Sequence, residues 1–97
     1  MRIHLIAAIL AILLSFFLQI TTIEWCLILI CIFLVMAAEI FNSAIEYGID
    51  LVTKEKQDLA KKAKDAAAGA VLVLAFLSLI VGAIVFIPKI LMLVKWR

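Results

Sequence analysis

Charge is what this chain has least of: 16% of its 97 residues are Asp, Glu, Lys or Arg, against 69% hydrophobic. Its mean hydropathy is +1.34. A soluble domain keeps about a quarter of its residues charged, so a water-solvated fold is excluded and one small membrane domain over residues 1–97 is expected. The net charge of +2 is too small, and its lysines too segregated, for a nucleic-acid surface. Cys26 and Cys31 lie in an apolar run with no His or second Cys pair nearby, and read as core or lipid-facing residues rather than metal ligands or a disulfide. There is no Gly-rich phosphate loop of the Walker type, no nucleophilic Ser or Cys beside a basic partner, and no Cys/His metal spacing. The single histidine, His4, beside Arg2 at the head of an apolar run, reads as an interfacial residue rather than a ligand.

What the chain does have is apolar length. Three stretches stand out, at 3–20, 25–38 and 66–87. The first and third are long enough, at about 1.5 Å per residue, to cover ~30 Å of hydrocarbon. The second is shorter, but its helical pattern continues to Val52, which predicts helices over 3–20, 25–52 and 59–87. An all-α membrane protein with three transmembrane helices is the expected fold class. Residues 21–24 carry no Lys or Arg, whereas Lys54, Lys56, Lys61, Lys62 and Lys64 crowd the second connection. Positive charge places that connection and the N-terminus in the cytoplasm, and Trp25 and Trp96 suit an external aromatic belt. A cleaved signal peptide over 1–20 is not expected, because no small-x-small site follows. Ala63 and Ala67, and Ala66 and Ala70, are pairs one turn apart that predict close helix contact along the third helix.

Near the end of the second apolar stretch, Glu39, Asn42, Glu46 and Asp50 recur at i, i+3, i+7 and i+11. At ~100° per residue they fall within roughly 80° of one another, so they form one polar stripe on one helix face. A charge at the centre of a membrane helix costs roughly 2.5–3.5 kcal/mol on insertion scales, and less toward the interface. A stripe of this kind needs compensation. Counting hydrocarbon depth from Trp25 puts Glu39 just inside the inner edge, Asn42 and Glu46 near the boundary and Asp50 in water. The short second connection makes the flanking helices antiparallel neighbours, so Lys61, Lys64 and Asp65 can face the stripe. Carboxylates for a divalent cation and lysines for phosphate suit phosphoryl transfer. Snorkelling ion pairs that merely hold a helix hairpin together, or ion and solute binding, fit the same spacing.

The residues themselves narrow this. Ala38-Glu39-Ile40-Phe41-Asn42-Ser43-Ala44-Ile45-Glu46, then Asp50, and Ala63-Lys64-Asp65-Ala66-Ala67-Ala68-Gly69-Ala70-Val71, with 18 residues from Glu46 to Lys64, resemble the signature of the small prokaryotic diacylglycerol kinase and undecaprenol kinase family. The resemblance covers essentially the whole chain. It implies a homotrimeric helical bundle in the bacterial plasma membrane that moves the γ-phosphate of ATP to a lipid hydroxyl, with Mg²⁺, at the cytoplasmic interface. By motif position it implies Glu39 as general base and lipid contact, with Asn42 beside it. Glu46 would be the metal and nucleotide ligand, Lys64 and Asp65 ATP contacts, and Asp50 a supporting residue. Glu55, Lys56 and Gln57 fall in the family's nucleotide-binding connection, Gln57 standing where His is usual.

Family members resemble one another in an amphipathic surface helix and a metal-ligand Glu ahead of the first span, and Arg2-Ile3-His4 resembles the end of that segment. Within residues 1–97 the resemblance therefore leaves Glu46 as the protein carboxylate for Mg²⁺, and impaired transfer is expected of a chain of this extent. The alternative from another class is a non-enzymatic scaffold or holin-like oligomer. It would not need Lys64 and Asp65 opposite Glu39 and Glu46.

Overall fold

The computed structural model describes residues 2–52 and 58–95, and these form three helices: α1 (Arg2–Leu18), α2 (Thr22–Val52) and α3 (Asp58–Lys95). The expectation of an all-helical chain with three helices in this order is met. Glu55, Lys56, Gln57 and Trp96 lie outside the described residues. α2 and α3, of 31 and 38 residues, are long and apolar enough to cross a membrane, and α1, of 17, is apolar but shorter.

The corner between α1 and α2 is sharper than expected, and local chemistry explains why. Gln19 adopts a positive φ of 53°, the Ile20 amide donates to the Ser15 carbonyl at 3.4 Å and the Gln19 amide to the Phe16 carbonyl at 3.3 Å. This is the Schellman arrangement that satisfies the last carbonyls of a helix. Immediately afterwards the Glu24 amide donates to Thr21 Oγ1 at 3.2 Å and the Thr21 amide donates to Glu24 Oε1 at 2.9 Å. This reciprocal capping box starts α2 at Thr22, three residues before the expected position. Buried Ile20 joins Ile28 and Val85 in a core against which Trp25 packs, and Trp25 meets Phe16 edge-on at 4.8 Å.

The far end of α3 departs from expectation as well. The helix does not stop before Pro88 but runs through it to Lys95. Proline removes one backbone donor, and membrane helices tolerate that loss where neighbours re-satisfy the freed groups. The apolar residues after Pro88 continue the pattern. Ser15 Oγ donates to the Ala11 carbonyl at 2.7 Å and Ser78 Oγ to that of Leu74 at 2.9 Å, so both hydroxyls are satisfied within their own helices.

α2 and α3 are antiparallel, and one face of α2 makes the seam. Its buried residues are Ile28, Cys31, Val35 and Glu39, whose offsets of i, i+3, i+7 and i+11 continue without a break into Asn42, Glu46 and Asp50. On α3 the buried residues are Val71 and Val85. Branched side chains rather than the alanine pairs fill this seam: Ala63, Ala66 and Ala70 are exposed, and a Cβ at Gly69 would meet nothing within 4 Å. The expected close contact along the Ala63/Ala67 and Ala66/Ala70 pairs is therefore not the contact made within the chain. Each end of the hairpin carries an ion pair, Lys89 Nζ to Glu24 Oε1 at 3.1 Å and Lys64 Nζ to Asp50 Oδ1 at 2.6 Å.

Candidate functional site

Burial falls steadily along the polar stripe. Glu39 is 8% exposed, Asn42 and Glu46 are half-buried, and Asp50 is exposed. The periodicity of α2 causes this, because the stripe is the continuation of the packing seam toward the end where the helices part. Glu39, Asn42 and Ser43 form one wall of a cleft of about 340 Å³, and Ala68, Val71 and Leu72 of α3 form the other. Small Ala68 on the α3 wall leaves room for the opening. Lys64 lies four residues before Ala68 and Asp65 three before it, so both sit one turn from the cleft on the wall side of α3.

The structure brings together Asp50 with Lys64, and Glu39 with Asn42 around one cleft. Among the described residues neither Glu46 nor Asp65 is in an ion pair; Asp65 and Lys61 are exposed. Oδ1 of Asn42 is buried and accepts no hydrogen bond. A buried acceptor left without a donor costs about 1–3 kcal/mol and is a place where a ligand donor or cation is accommodated.

Two residues were missed by the sequence reading. Ser43 lines the cleft, and its position four residues after Glu39 was the available signal. His4 is half-buried and its Nδ1 is in direct contact with Oε1 of Glu39, which corrects its reading as a plain interfacial residue. The partners are 35 residues apart, and nothing local to either marks the contact. Cys31 is buried in the seam and Cys26 exposed, both as free thiols.

A metal held by protein side chains alone is not built here: among the described residues no three His, Cys, Asp or Glu side chains gather as a ligand set.

Residues 1–86 match the family model described as prokaryotic diacylglycerol kinase. The chain belongs to that family. It is similar to the undecaprenol kinase of Bacillus subtilis (strain 168), 43% identical over 86 residues that make up 89% of this chain and 70% of that protein. It is similar also to the diacylglycerol kinase of Escherichia coli (strain K12), 37% identical over 68 residues, 70% of this chain and 56% of that protein. The diacylglycerol kinase of Synechocystis (strain PCC 6803) is 48% identical over 61 residues, 62% of this chain, and there the match spans 35% of the relative's length. Membership in a family of lipid kinases and two helices apolar enough to span make this a membrane protein of kinase type.

Proposed function

We propose that the chain is a subunit of a membrane-embedded lipid kinase that transfers the γ-phosphate of ATP to the hydroxyl of undecaprenol or diacylglycerol. The observation that carries this reading is the cleft itself: a buried carboxylate, Glu39, lines it, and its α3 wall ends at Ala68, one turn from Lys64. In the reaction, Glu39 takes the proton of the lipid hydroxyl as its oxygen forms a bond to the γ-phosphorus; the bond to the bridging oxygen breaks, and ADP leaves with that electron pair. Lys64 and Asp65 meet the nucleotide from α3, Lys64 exchanging Asp50 for phosphate oxygens. Asn42 orients its neighbours at the cleft wall. Glu46, one turn from Asn42 on the water side, is the residue to hold Mg²⁺ together with phosphate oxygens. The ion, when bound, supplies neutralisation of charge on the transferring phosphoryl group. Glu55, Lys56 and Gln57 belong to the nucleotide side of the same reading.

The cleft lies at the cytoplasmic leaflet in this proposal, with all three helices crossing the bacterial plasma membrane. The two ion pairs support the placement. They are separated by 26 residues along α2 and 25 along α3, about 38 Å at 1.5 Å per residue, which exceeds the ~30 Å hydrocarbon but fits the ~40–45 Å bilayer with its headgroups. Glu39, 15 residues from Glu24, lies about 22 Å along and so within the hydrocarbon thickness. Lys89 does not oppose this orientation, because Glu24 neutralises it. Exposed Phe16, Phe33, Phe41 and Phe76 on the outer faces need lipid or further copies of the chain, consistent with a homotrimer. A scaffold gains no support from a cleft with an unpaired buried amide oxygen at its wall.

The test is transfer of label from γ-³²P-ATP to undecaprenol and to diacylglycerol in nanodiscs containing the chain. Label in either lipid, lost in Glu39→Gln at equal protein level, is the expected result. A folded chain that labels neither lipid contradicts the reading.

A further inference from the structure

The acid in the cleft has a neighbour that the proposed reaction does not use. His4, in the first turn of α1, touches Oε1 of Glu39 through Nδ1. It also lines an apolar pocket of about 390 Å³ with Ala8, Val35 and Met36, to which all three helices contribute. The imidazole therefore stands where an apolar pocket meets the polar cleft. A glutamate carboxylate turns about three side-chain torsions, and a general base works only with an oxygen aimed at the proton within about 2.6–3.2 Å. His4 is among the groups that meet this carboxylate, in contact with one of its two oxygens.

We infer that His4 is a positioning residue for Glu39: its Nδ1 pins Oε1, which sets the carboxylate plane and turns the second oxygen toward the acceptor hydroxyl in the cleft. The inference rests on the reading of Glu39 as the base. His4 itself lines the apolar pocket and not the cleft, so its effect is routed through Glu39. Outer partners that orient metal-ligating side chains typically carry about 10–100-fold in activity when removed, and a loss of the same order is expected of His4.

His4 is the one histidine of the chain, which permits a test independent of turnover. With the histidine ring nitrogens labelled by ¹⁵N in the full chain in nanodiscs, Glu39→Gln should move the Nδ1 resonance and Glu46→Gln should leave it in place. An Nδ1 resonance indifferent to Glu39→Gln overturns the inference whether or not the chain is active. In the transfer assay, His4→Leu should lower kcat by about 10–100-fold with KM for ATP within about twofold. His4→Asn, which puts an amide where Nδ1 stands, should restore most of the rate, and His4→Gln, whose amide reaches one atom further, should not. His4→Leu should add little to Glu39→Gln. Wild-type rates in His4→Leu alongside a dead Glu39→Gln would remove His4 from the mechanism and leave the base reading standing. A fully active Glu39→Gln would remove both. Should His4→Leu fail to insert, equal rates in His4→Asn and His4→Gln would contradict the inference.

Discussion

The Glu24 end and the Asp50 end of the α2/α3 seam, its outer and inner halves in the proposed orientation, start from the same helical face and the same device, an ion pair between helices, yet they are finished differently. On the outer half, Ile28 joins Ile20 and Val85 in a core against which Trp25 packs. The capping box holds Glu24 in place, and Lys89 and Glu24 are each about a quarter exposed. On the inner half the face turns polar at Glu39, a cleft opens beside it, and Lys64 and Asp50 are 36% and 53% exposed. One half is closed by packing; the other is held open with charges around the opening. An ion pair at a helix end is thus no sign of function by itself, and the polar residues left next to empty space are what separate a site from a clamp.

The sharpest way to break this contrast is to disable each half and ask which function is lost. Glu39→Gln should lower the rate of γ-phosphate transfer by about 10²–10⁴-fold with no loss of thermal stability in detergent. Lys64→Ala should lower kcat/KM for ATP by roughly 10²-fold, read from ATP saturation curves. On the outer half the losses should be of stability. Ile28→Ala should destabilise the fold by about 2–5 kcal/mol, measured by unfolding in mixed micelles, while protein that remains folded transfers phosphate normally. Thr21→Ala, which removes the cap, should cost about 1 kcal/mol. The smallest effect belongs to Lys89→Met, which removes a pair still about a quarter exposed to solvent and so of small worth: a melting shift below that of Thr21→Ala and an unchanged rate.

Most of the inner half was legible in the sequence because its pattern is local to one helix. Glu39, Asn42, Glu46 and Asp50 declare a common face by spacing alone, and that face is the seam in the structure. The shortness of the second connection likewise announced a hairpin, which lets Lys64 reach Asp50. What was not legible depends on contacts between distant residues or on which face a pattern uses. His4 and Glu39 meet only after α1 folds back. The small residues around Gly69 mark a surface able to approach another closely, but spacing does not say which surface; within the chain it is open, and Val71 and Val85 fill the seam instead. The start of α2 was legible and went unused, since Thr21 and Glu24 are a capping-box signature three residues apart. The end of α3 misled because proline halts most helices in water, and Pro88 stands in an apolar run where the helix continues.

The claim on which the account rests is that chemistry resides in the inner half alone. It is tested by measuring phosphate transfer from γ-³²P-ATP to lipid for Glu39→Gln and Lys64→Ala beside Glu24→Gln and Lys89→Met, at matched folded protein. The account predicts label from the second pair at the wild-type rate and almost none from the first; equal rates from all four variants would contradict it.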